Sequence, residues 1–285
     1  MKILVVGGNG QLGQCIQDVV KYKKQYSFTF IDSNTLDITN KDAVTAYFKQ
    51  STYNYCINCA AYTAVDKAET ETDLAHQVNA IGAKNLAISC QENNTTLIHV
   101  STDFVFDGTT TKPYIETDRT NPISVYGQTK LSGEIFIQEE ITNYFILRTA
   151  WLYSEHANNF MKTMLKLAKD RDELNIIADQ FGTPTYAKDL AKVILEIIET
   201  QATKYGLYHY SNEGEASWHD FAKEIFELSN TKIKLGAIPT TQYPTPAERP
   251  KYSVMDKTKI KNNLGIQIPN WKDSLQKALL ALKNI

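Results

Sequence analysis

The chain has 285 residues, of which 42% are hydrophobic and 22% are charged, and its formal net charge is -2 at pH 7. This composition excludes a disordered or low-complexity chain, and the length predicts either one large α/β domain or two lobes that share a cleft. A charge this close to neutral argues against nucleic acid as a partner, whereas a small charged ligand is compatible with it.

Hydrophobic patterning predicts that strands alternate with helices over residues 2–149. The predicted strands are 2–6, 26–31, 55–60, 96–100 and 144–149, and the predicted helices are 11–21, a stretch from about 40, 72–91 and 126–140. Thr39 or Asn40 is expected to cap the second helix. Because continuous apolar strands are joined by helical crossovers, the fold class is predicted to be α/β with a Rossmann-type, doubly wound parallel sheet.

The regular alternation weakens after Trp151. The predicted elements beyond it are helices 158–169, 187–200 and 217–229, strands 174–178 and 207–210, and a proline-rich segment at 243–250. We expect a Rossmann lobe formed by residues 1–151 together with about 174–200. A smaller C-terminal lobe, formed by about 152–173 and 201–285, is expected to pack against it, since no linker separates independent modules.

The N-terminal apolar run is too short to span a membrane and lacks a signal-peptide cleavage pattern, which predicts a cytoplasmic protein without membrane association. The four cysteines, Cys15, Cys56, Cys59 and Cys90, are too few for a disulfide framework, as expected in a reducing compartment. Cys56 and Cys59 form a C-x-x-C inside the apolar run YCINCAA, so buried thiols are favoured over a redox or metal pair.

Glycines occupy the turn between the first strand and the first helix. Gly7, Gly10 and Gly13 form a G-x-x-G-x-x-G pattern, and Gly8 adds an overlapping G-x-G-x-x-G. Without a Cβ the backbone can turn sharply and approach a pyrophosphate, whose charge is stabilised by free N–H groups and the helix dipole. The pattern predicts dinucleotide binding, and the alternative is a tight turn without a ligand.

Asp32 ends the second predicted strand, nineteen residues after Gly13. A carboxylate at this place can accept hydrogen bonds from an adenosine ribose, and it repels a 2′-phosphate, which favours NADH. The alternative is a capping or turn aspartate. Lys41 or a nearby backbone group would still admit NADPH, so the cofactor is predicted to be NADPH or NADH.

Tyr126 and Lys130 form a Y-x-x-x-K, whose spacing places both side chains on one face of a helix. An ammonium near the phenol favours the phenolate and brings the tyrosine closer to neutral pH, where general acids and bases work efficiently. The motif gains weight because Ser101, Thr102 and Asp103 follow the strand at 96–100, and parallel sheets present catalytic groups just beyond their strand ends.

Several motifs together are more specific than any one of them. They are NCAAYTAVDKAE (58–69), STDFVFDG (101–108), VYGQTK (125–130), LRTAWLY (147–153), FGTPT, SWHDFA and PTPAERP. Over essentially its whole length the sequence resembles the extended short-chain dehydrogenase/reductases and, more narrowly, the dTDP-4-dehydrorhamnose reductases. The resemblance implies that the smaller lobe binds the substrate.

The family's catalytic threonine, tyrosine and lysine correspond to Thr102, Tyr126 and Lys130. The resemblance implies that the threonine hydrogen-bonds the sugar carbonyl, the tyrosine delivers the proton, and the lysine holds the nicotinamide ribose and lowers the tyrosine pKa. It also implies that the cofactor is lined by Gly10, Gln11, Leu12, Asp37, Ile38, Ala61, Tyr62 and Thr63. Asp103 and Trp151 would contact the deoxysugar.

These assignments have structural alternatives: Thr102 as a loop cap, Asp103 as a brace for backbone amides and Trp151 as a core residue. Arg249 is a candidate for binding the nucleotide diphosphate, because a guanidinium can grip phosphate in a bidentate fashion. The alternative is a surface arginine. Phe104 departs from a tyrosine often found after S-T-D in the family, which removes one hydroxyl contact. The histidines, His76, His99, His156, His209 and His219, are scattered without ligand spacing, and none is assigned to catalysis.

The implied reaction is the NAD(P)H-dependent reduction of the C4 ketone of a dTDP-linked 4-dehydro-6-deoxy-L-sugar to dTDP-L-rhamnose. One alternative is an epimerase or dehydratase that retains its cofactor, and another is a non-catalytic, nucleotide-sensing regulatory subunit. The intact Thr102, Tyr126 and Lys130 argue against a regulator. The resemblance also includes relatives that are dimers held through a metal near the C-terminus. Because the closing residues ALKNI of this chain carry no carboxylate, no metal requirement is expected. A monomer and a homodimer both stay open.

Overall fold

The computed structural model describes residues 1–283, so the last two residues of the predicted smaller lobe and of the ALKNI tail lie outside the described residues. The first half of the chain alternates strands with helices. Its elements are β1 (Lys2–Val6), α1 (Gln11–Val20), β2 (Ser27–Ile31), α2 (Lys41–Lys49), β3 (Tyr55–Asn58), α3 (Val65–Ala68), α4 (Thr72–His76), α5 (Gly82–Glu92), β4 (Thr96–Thr102), α6 (Val125–Glu140) and β5 (Tyr144–Thr149). Asn40, rather than Thr39, caps α2 by accepting a hydrogen bond from the Ala43 N–H.

The second half has shorter strands and a less regular order. Its elements are β6 (Leu152–Tyr153), α7 (Phe160–Asp170), β7 (Glu173–Ile177), β8 (Phe181–Gly182), β9 (Thr185–Tyr186), α8 (Ala187–Glu199), β10 (Gly206–His209), β11 (Ala216–Ser217), α9 (Trp218–Leu228), β12 (Lys234–Ile238), α10 (Thr258–Leu264) and α11 (Trp271–Leu282). Within residues 1–283, no helix combines the length and apolar character that crossing a bilayer requires.

The central sheet is parallel, with six strands in the order β10-β5-β4-β3-β1-β2. The chain runs from β1 to β2 on one side and then returns to β3 on the other side of β1. The strand order therefore reverses between β1 and β3, which is where open α/β sheets form a ligand crevice. The predicted doubly wound parallel sheet is confirmed.

Side chains of β1 alternate between the two faces of the sheet. Ile3 and Val5 pack with α1 and α8 on one face, whereas Leu4 and Val6 pack with α2 and α5 on the other. All four side chains are buried. Helices cover both faces, and this explains why the strand sequence is apolar at every position rather than at every second one.

Two strands lie on the opposite side of the predicted lobe division. Residues 206–209, assigned by sequence to the smaller lobe, form β10 and pair with β5 in the central sheet. Residues 174–177, assigned to the Rossmann lobe, lie in β7, which pairs with β12 outside that sheet. The prediction for both strands is wrong, because short apolar runs do not show which strand they will pair with.

The predicted helix at 72–91 contains a wider turn. A π-helical segment, Gln77–Ile81, separates α4 from α5. Within it the Asn79 amide nitrogen donates to the Tyr62 carbonyl at 3.1 Å and to Thr129 Oγ1 at 3.1 Å, and its oxygen accepts from the Tyr62 N–H at 2.8 Å. The wider turn therefore ties the loop after β3 to α6, which carries the predicted catalytic pair.

Candidate active site

Two cavities lie at the carboxyl ends of the central strands and share Gly10, Cys59 and Ala61 in their walls. The smaller, of about 320 Å³, lies beyond the ends of β1 and β2, and the larger, of about 660 Å³, lies beyond the ends of β3, β4 and β5. The shared residues follow the strands between which the order reverses, so the cavities form one cleft at the predicted crevice.

The glycines of the first turn have different tasks. A Cβ on Gly7, whose φ is +79°, would lie 2.7 Å from the Ala60 nitrogen, and a Cβ on Gly13 would lie 2.5 Å from the carbonyl oxygens of Gly7 and Gly8. These two positions serve the sharp turn and the close packing of α1. Gly13 lines neither cavity, in contrast to the prediction. Gly10 lines both, and it begins α1 without a capping side chain, so the helix N-terminus faces the cleft.

Asp32 forms the hydrogen bonds of a turn and also lies in a cavity wall. It lines the smaller cavity together with Asp37 and Ile38. Its Oδ2 accepts a hydrogen bond from the Asn9 amide at 2.6 Å, and its Oδ1 accepts from the Thr35 N–H and hydroxyl at 3.1 Å. The bonds from Thr35 lower the pKa of Asp32, so the carboxylate is ionised where an adenosine ribose would lie.

Residues after β3 divide between the cavity and the surrounding framework. Ala61 and Thr63 line the larger cavity, as do the predicted residues Gln11 and Leu12. Tyr62 does not line either cavity, and its hydroxyl donates to Glu71 at 2.5 Å. The structure thus brings all but Tyr62 of this predicted set to the cleft.

The three predicted catalytic residues line the same cavity. Thr102 is the last residue of β4, and Tyr126 and Lys130 lie in the first turns of α6. Ser124 begins this helix by accepting a hydrogen bond from the Gly127 N–H at 3.2 Å. Strand end and helix start therefore converge on one wall. Phe104, the departure from the family pattern, meets the Tyr126 ring edge to face at 5.7 Å.

Burial dominates the electrostatics of this wall. It raises the pKa of Tyr126 to about 12, with the Thr102 hydrogen bond acting to lower it and Asp103 acting to raise it. Lys130 is not among the groups that cause this shift, so a lowering of the tyrosine pKa by the lysine stays a prediction. Burial also lowers the pKa of Lys130 to about 8. At neutral pH the phenol is protonated and available as a donor.

Asp103 is buried beside Thr102. Its Oδ1 accepts a hydrogen bond from the Thr102 hydroxyl at 3.0 Å, and the same hydroxyl oxygen accepts from the Phe104 N–H at 3.2 Å. Burial raises the pKa of Asp103 to about 6, although its hydrogen bonds act in the opposite direction. The cap at Thr102 and its place in the cavity wall are thus both present.

Trp151 is a cavity wall that is also held by packing. Its indole stacks on that of Trp218 with ring centroids 3.5 Å apart and planes 8° apart, and both line the larger cavity. A Cβ on Gly182 would lie 2.7 Å from the Trp151 ring. Trp151 also has a φ of +45°, which is unfavourable for a bulky residue. Sequence reasoning did not assign Trp218, although it lies in the quoted SWHDFA motif.

Arg249 also lines the larger cavity, but its guanidinium already has a partner. Its Nη2 donates to Asp66 Oδ2 at 2.8 Å and its Nη1 to Asp66 Oδ1 at 3.0 Å. This bidentate pair holds the proline-rich segment against α3. A diphosphate would therefore meet an arginine whose charge is shared with a carboxylate.

Asp18, Glu155 and His156 bring possible metal-ligand atoms within 4.8 Å of one another. Lys188 lies among them, with its Nζ 3.2 Å from Asp18 Oδ2 and 3.0 Å from Glu155 Oε1. The ammonium pairs with both carboxylates, so the cluster is an ion-pair network, and none of its members lines either cavity.

Comparison with known proteins finds matches over almost the whole chain. The family described as "RmlD substrate binding domain" matches residues 1–284. A dTDP-4-dehydrorhamnose reductase of Aggregatibacter actinomycetemcomitans is 42% identical over 96% of this chain and 97% of that protein.

Solved structures of similar proteins cover the same length. A dTDP-4-dehydrorhamnose reductase of Clostridium acetobutylicum superposes with a TM-score of 0.96 at 45% identity, over 99% of this chain and 100% of that chain. One of Bacillus anthracis, in complex with NADP, has a TM-score of 0.95 at 40% identity, over 98% and 99% of the two chains. The resemblance found in the sequence is confirmed, and the chain belongs to the dTDP-4-dehydrorhamnose reductase family.

Proposed function

We propose that this protein reduces the C4 ketone of dTDP-4-dehydro-β-L-rhamnose to dTDP-L-rhamnose, with NADPH or NADH as the hydride source. The observation that carries the proposal is that Thr102, Tyr126 and Lys130 line one cavity, which shares walls with the cavity at the glycine turn. A dinucleotide and a ketone can therefore lie side by side. The full-length relatives named as dTDP-4-dehydrorhamnose reductases support the same reaction.

The cleft fits a dinucleotide, since the bare Gly10 faces the space into which the N-terminus of α1 points. Gly7 and Gly10 would hold the pyrophosphate, and Asp32, Asp37 and Ile38 the adenosine end. When bound, the reduced nicotinamide supplies the hydride. An ionised Asp32 favours NADH, whereas the Bacillus anthracis relative is in complex with NADP, so both cofactors belong to the proposal.

The chain's own residues then handle the ketone oxygen. The Thr102 hydroxyl turns from Asp103 Oδ1 to donate a hydrogen bond to that oxygen, and Tyr126 donates its proton to the oxyanion as it forms. Because burial keeps the phenol protonated at neutral pH, the donor is in the required state before reaction. Asp103 would hold a sugar hydroxyl, and Trp151 would cover the apolar face of the deoxysugar. Arg249 would approach the diphosphate from the proline-rich segment.

The test is NAD(P)H oxidation with a panel of nucleotide-linked 4-ketosugars, using wild type, Tyr126→Phe and Tyr22→Phe. Tyr22 is 81% exposed and lies outside the cleft, which makes it a matched control. We expect Tyr126→Phe to lose about 10² to 10⁴ in turnover with little change in cofactor affinity, as general acid catalysis typically contributes this much. Near-wild-type turnover of Tyr126→Phe at neutral pH would remove the tyrosine from its role.

The same assay separates the other classes. An epimerase or dehydratase converts the sugar without net consumption of added NAD(P)H, and a regulatory subunit consumes none and forms no product. The proposed protein is a cytoplasmic monomer or homodimer without a metal requirement. Neither nucleic acid nor a membrane is proposed as a partner. Light scattering on the purified protein distinguishes the two oligomeric states.

A further inference from the structure

The buried amino group of Lys130 contacts a backbone carbonyl and a histidine ring nitrogen. Its Nζ donates to the Val100 carbonyl at 2.7 Å and lies 3.2 Å from Nε2 of His99. Both side chains are only 1% exposed, so water does not satisfy them. The direction of the contact between lysine and histidine depends on which imidazole nitrogen carries the proton.

Asn58 determines that tautomer. Its Oδ1 accepts a hydrogen bond from the Ala60 N–H at 3.0 Å, which leaves the amide nitrogen facing Nδ1 of His99 at 3.0 Å. An amide NH₂ only donates, so Nδ1 must carry the lone pair. Burial, followed by the nearby Lys130, lowers the pKa of His99 well below its ordinary value, and the ring is neutral at pH 7. Its single N–H therefore lies on Nε2.

The Nε2–H then points at the Lys130 nitrogen. An ammonium has no lone pair to accept this bond, whereas a neutral amine accepts it and still donates to Val100. The chain of bonds that starts at the Ala60 N–H and passes through Asn58 is satisfied when the lysine is neutral. Burial lowers the lysine pKa in the same direction.

Other titratable groups face the lysine from neighbouring elements. Glu134, one turn further along α6, and Cys59, after β3, both act to raise its pKa, but less than burial lowers it. The Glu134 carboxylate is already paired with Arg148, whose Nη2 lies 2.6 Å from Oε2. Tyr126, on the same helix, is protonated at neutral pH. Among the hydrogen bonds of residues 1–283, the His99 ring is therefore the side-chain partner of the Lys130 amino group.

We propose that His99 is a positioning residue for Lys130: through the tautomer that Asn58 imposes, its ring N–H faces the lysine nitrogen and favours the neutral amine over the ammonium. The value of this arrangement to catalysis rests on the proposed function. Tyr126 gives up a proton in each turnover and must regain one. A lysine that titrates near neutral pH can take a proton from solvent and return it within the same cavity.

The direct test is side-chain ¹⁵N NMR of the cofactor-free protein at pH 7. His99 is expected to be neutral with its proton on Nε2, and the Lys130 amine is expected to titrate near pH 8. His99→Gln and Lys130→Met assign the signals. A ring protonated on Nδ1, or on both nitrogens, would overturn the proposal without any variant having to fold.

Two variants then reverse the polarity of the bonds. In Asn58→Asp, a carboxylate of nearly the same shape accepts from both the Ala60 N–H and an Nδ1–H, so Nε2 becomes an acceptor for an ammonium. In His99→Gln, the side-chain carbonyl can accept from the ammonium directly. We expect either change to raise the Lys130 titration midpoint by about one pH unit or more, a tenfold change in proton affinity.

His209→Gln is the matched control, because this histidine is also fully buried in the central sheet but contacts Arg148 rather than Lys130. In this variant the titration midpoint of Lys130 is expected to stay at the wild-type value. Folded Asn58→Asp and His99→Gln proteins with unchanged midpoints would refute the inference. Since the titration needs neither cofactor nor sugar, a shifted midpoint in a protein without reductase activity would contradict the proposed function alone.

Discussion

Asp103→Asn is expected to stabilise the protein at neutral pH and to do so in a pH-dependent manner. The carboxyl of Asp103 is 1% exposed, and burial raises its pKa from the ordinary 3.8 to about 6. The folded state therefore binds this proton more tightly than the unfolded chain does. The asparagine has nearly the same shape and can still accept from the Thr102 hydroxyl, but it never has to become a buried anion.

The sign and size of the effect follow from linkage. Because the folded pKa is raised, the stabilisation from protonated Asp103 is complete below about pH 4 and is lost as the pH rises through about 6. A difference of roughly two pKa units corresponds to about 3 kcal/mol. Above pH 7 the variant should therefore gain about 3 kcal/mol relative to wild type, or about 5 °C in Tm for a chain of this size.

The assay is urea unfolding of wild type and Asp103→Asn at half-unit steps from pH 4 to pH 8, analysed as the difference between the two free energies of unfolding. Other titrating groups cancel in this difference, so its rise between pH 4 and pH 7 reports Asp103 alone. A difference that stays flat over this range would refute the reasoning, because the buried carboxyl would then have an ordinary pKa.

Asp107→Asn provides a control of opposite sign. The pKa of Asp107 is lowered to about 2, chiefly by the hydrogen bond from Asn121 and also by bonds from Thr109. Its stabilisation is present above the unfolded pKa and is lost as the pH falls through the folded one. Both of these pKa values lie below pH 4, so the difference for this variant should stay nearly constant from pH 4 to pH 8, as a loss of stability relative to wild type.

The remaining predictions concern the cleft and its support. Gly10→Val should abolish cofactor binding in a fluorescence titration while Tm changes little. Gly13→Ala should instead lower Tm, because its Cβ would meet backbone oxygens at 2.5 Å. Equal cofactor affinity of Gly10→Val and wild type would show that the cofactor site is not at this turn. Trp151→Ala should reduce kcat/KM for the sugar nucleotide and leave cofactor affinity unchanged, since the indole lines the larger cavity and its ring stack is worth only about 0.5–1.5 kcal/mol; a large fall in Tm with wild-type kinetics would make it a core residue. Glu134→Gln should cost about 3–5 kcal/mol in urea unfolding by leaving Arg148 as a buried, unpaired cation, and a loss below 1 kcal/mol would contradict this.

Local chemistry was sufficient for much of the fold and part of the candidate site. The period of the apolar residues is a property of neighbouring positions, and it located the strands up to β5, and the helices other than α3, within a few residues. The turn at Gly7, the cap at Asn40 and the spacing of Tyr126 and Lys130 are likewise fixed within one or two turns of chain. The triad and most of the residues predicted to line the cofactor came instead from the resemblance to the reductase family, whose motifs are contiguous stretches of the sequence.

Tertiary structure decided what depends on partners distant in the chain. A strand of four or five apolar residues does not encode its neighbour, so only the packed structure assigned β10 to the central sheet and paired β7 with β12. The stacking of Trp218 on Trp151 joins residues far apart in sequence, and so does the pairing of Arg249 with Asp66. The pKa values belong to the same class, because burial depends on every element around a group.

His99 illustrates the difference most clearly. In the sequence it is one of five scattered histidines with no ligand spacing. In the fold it lies between Asn58 on β3 and Lys130 on α6. The amide of Asn58 selects the tautomer of the ring, and that tautomer faces Lys130 with an N–H. The sequence determined which side chains are candidates for the chemistry, and the packing of three separate elements decided how strongly one of them, Lys130, holds its proton, because desolvation and hydrogen-bond direction exist only once the chain is folded.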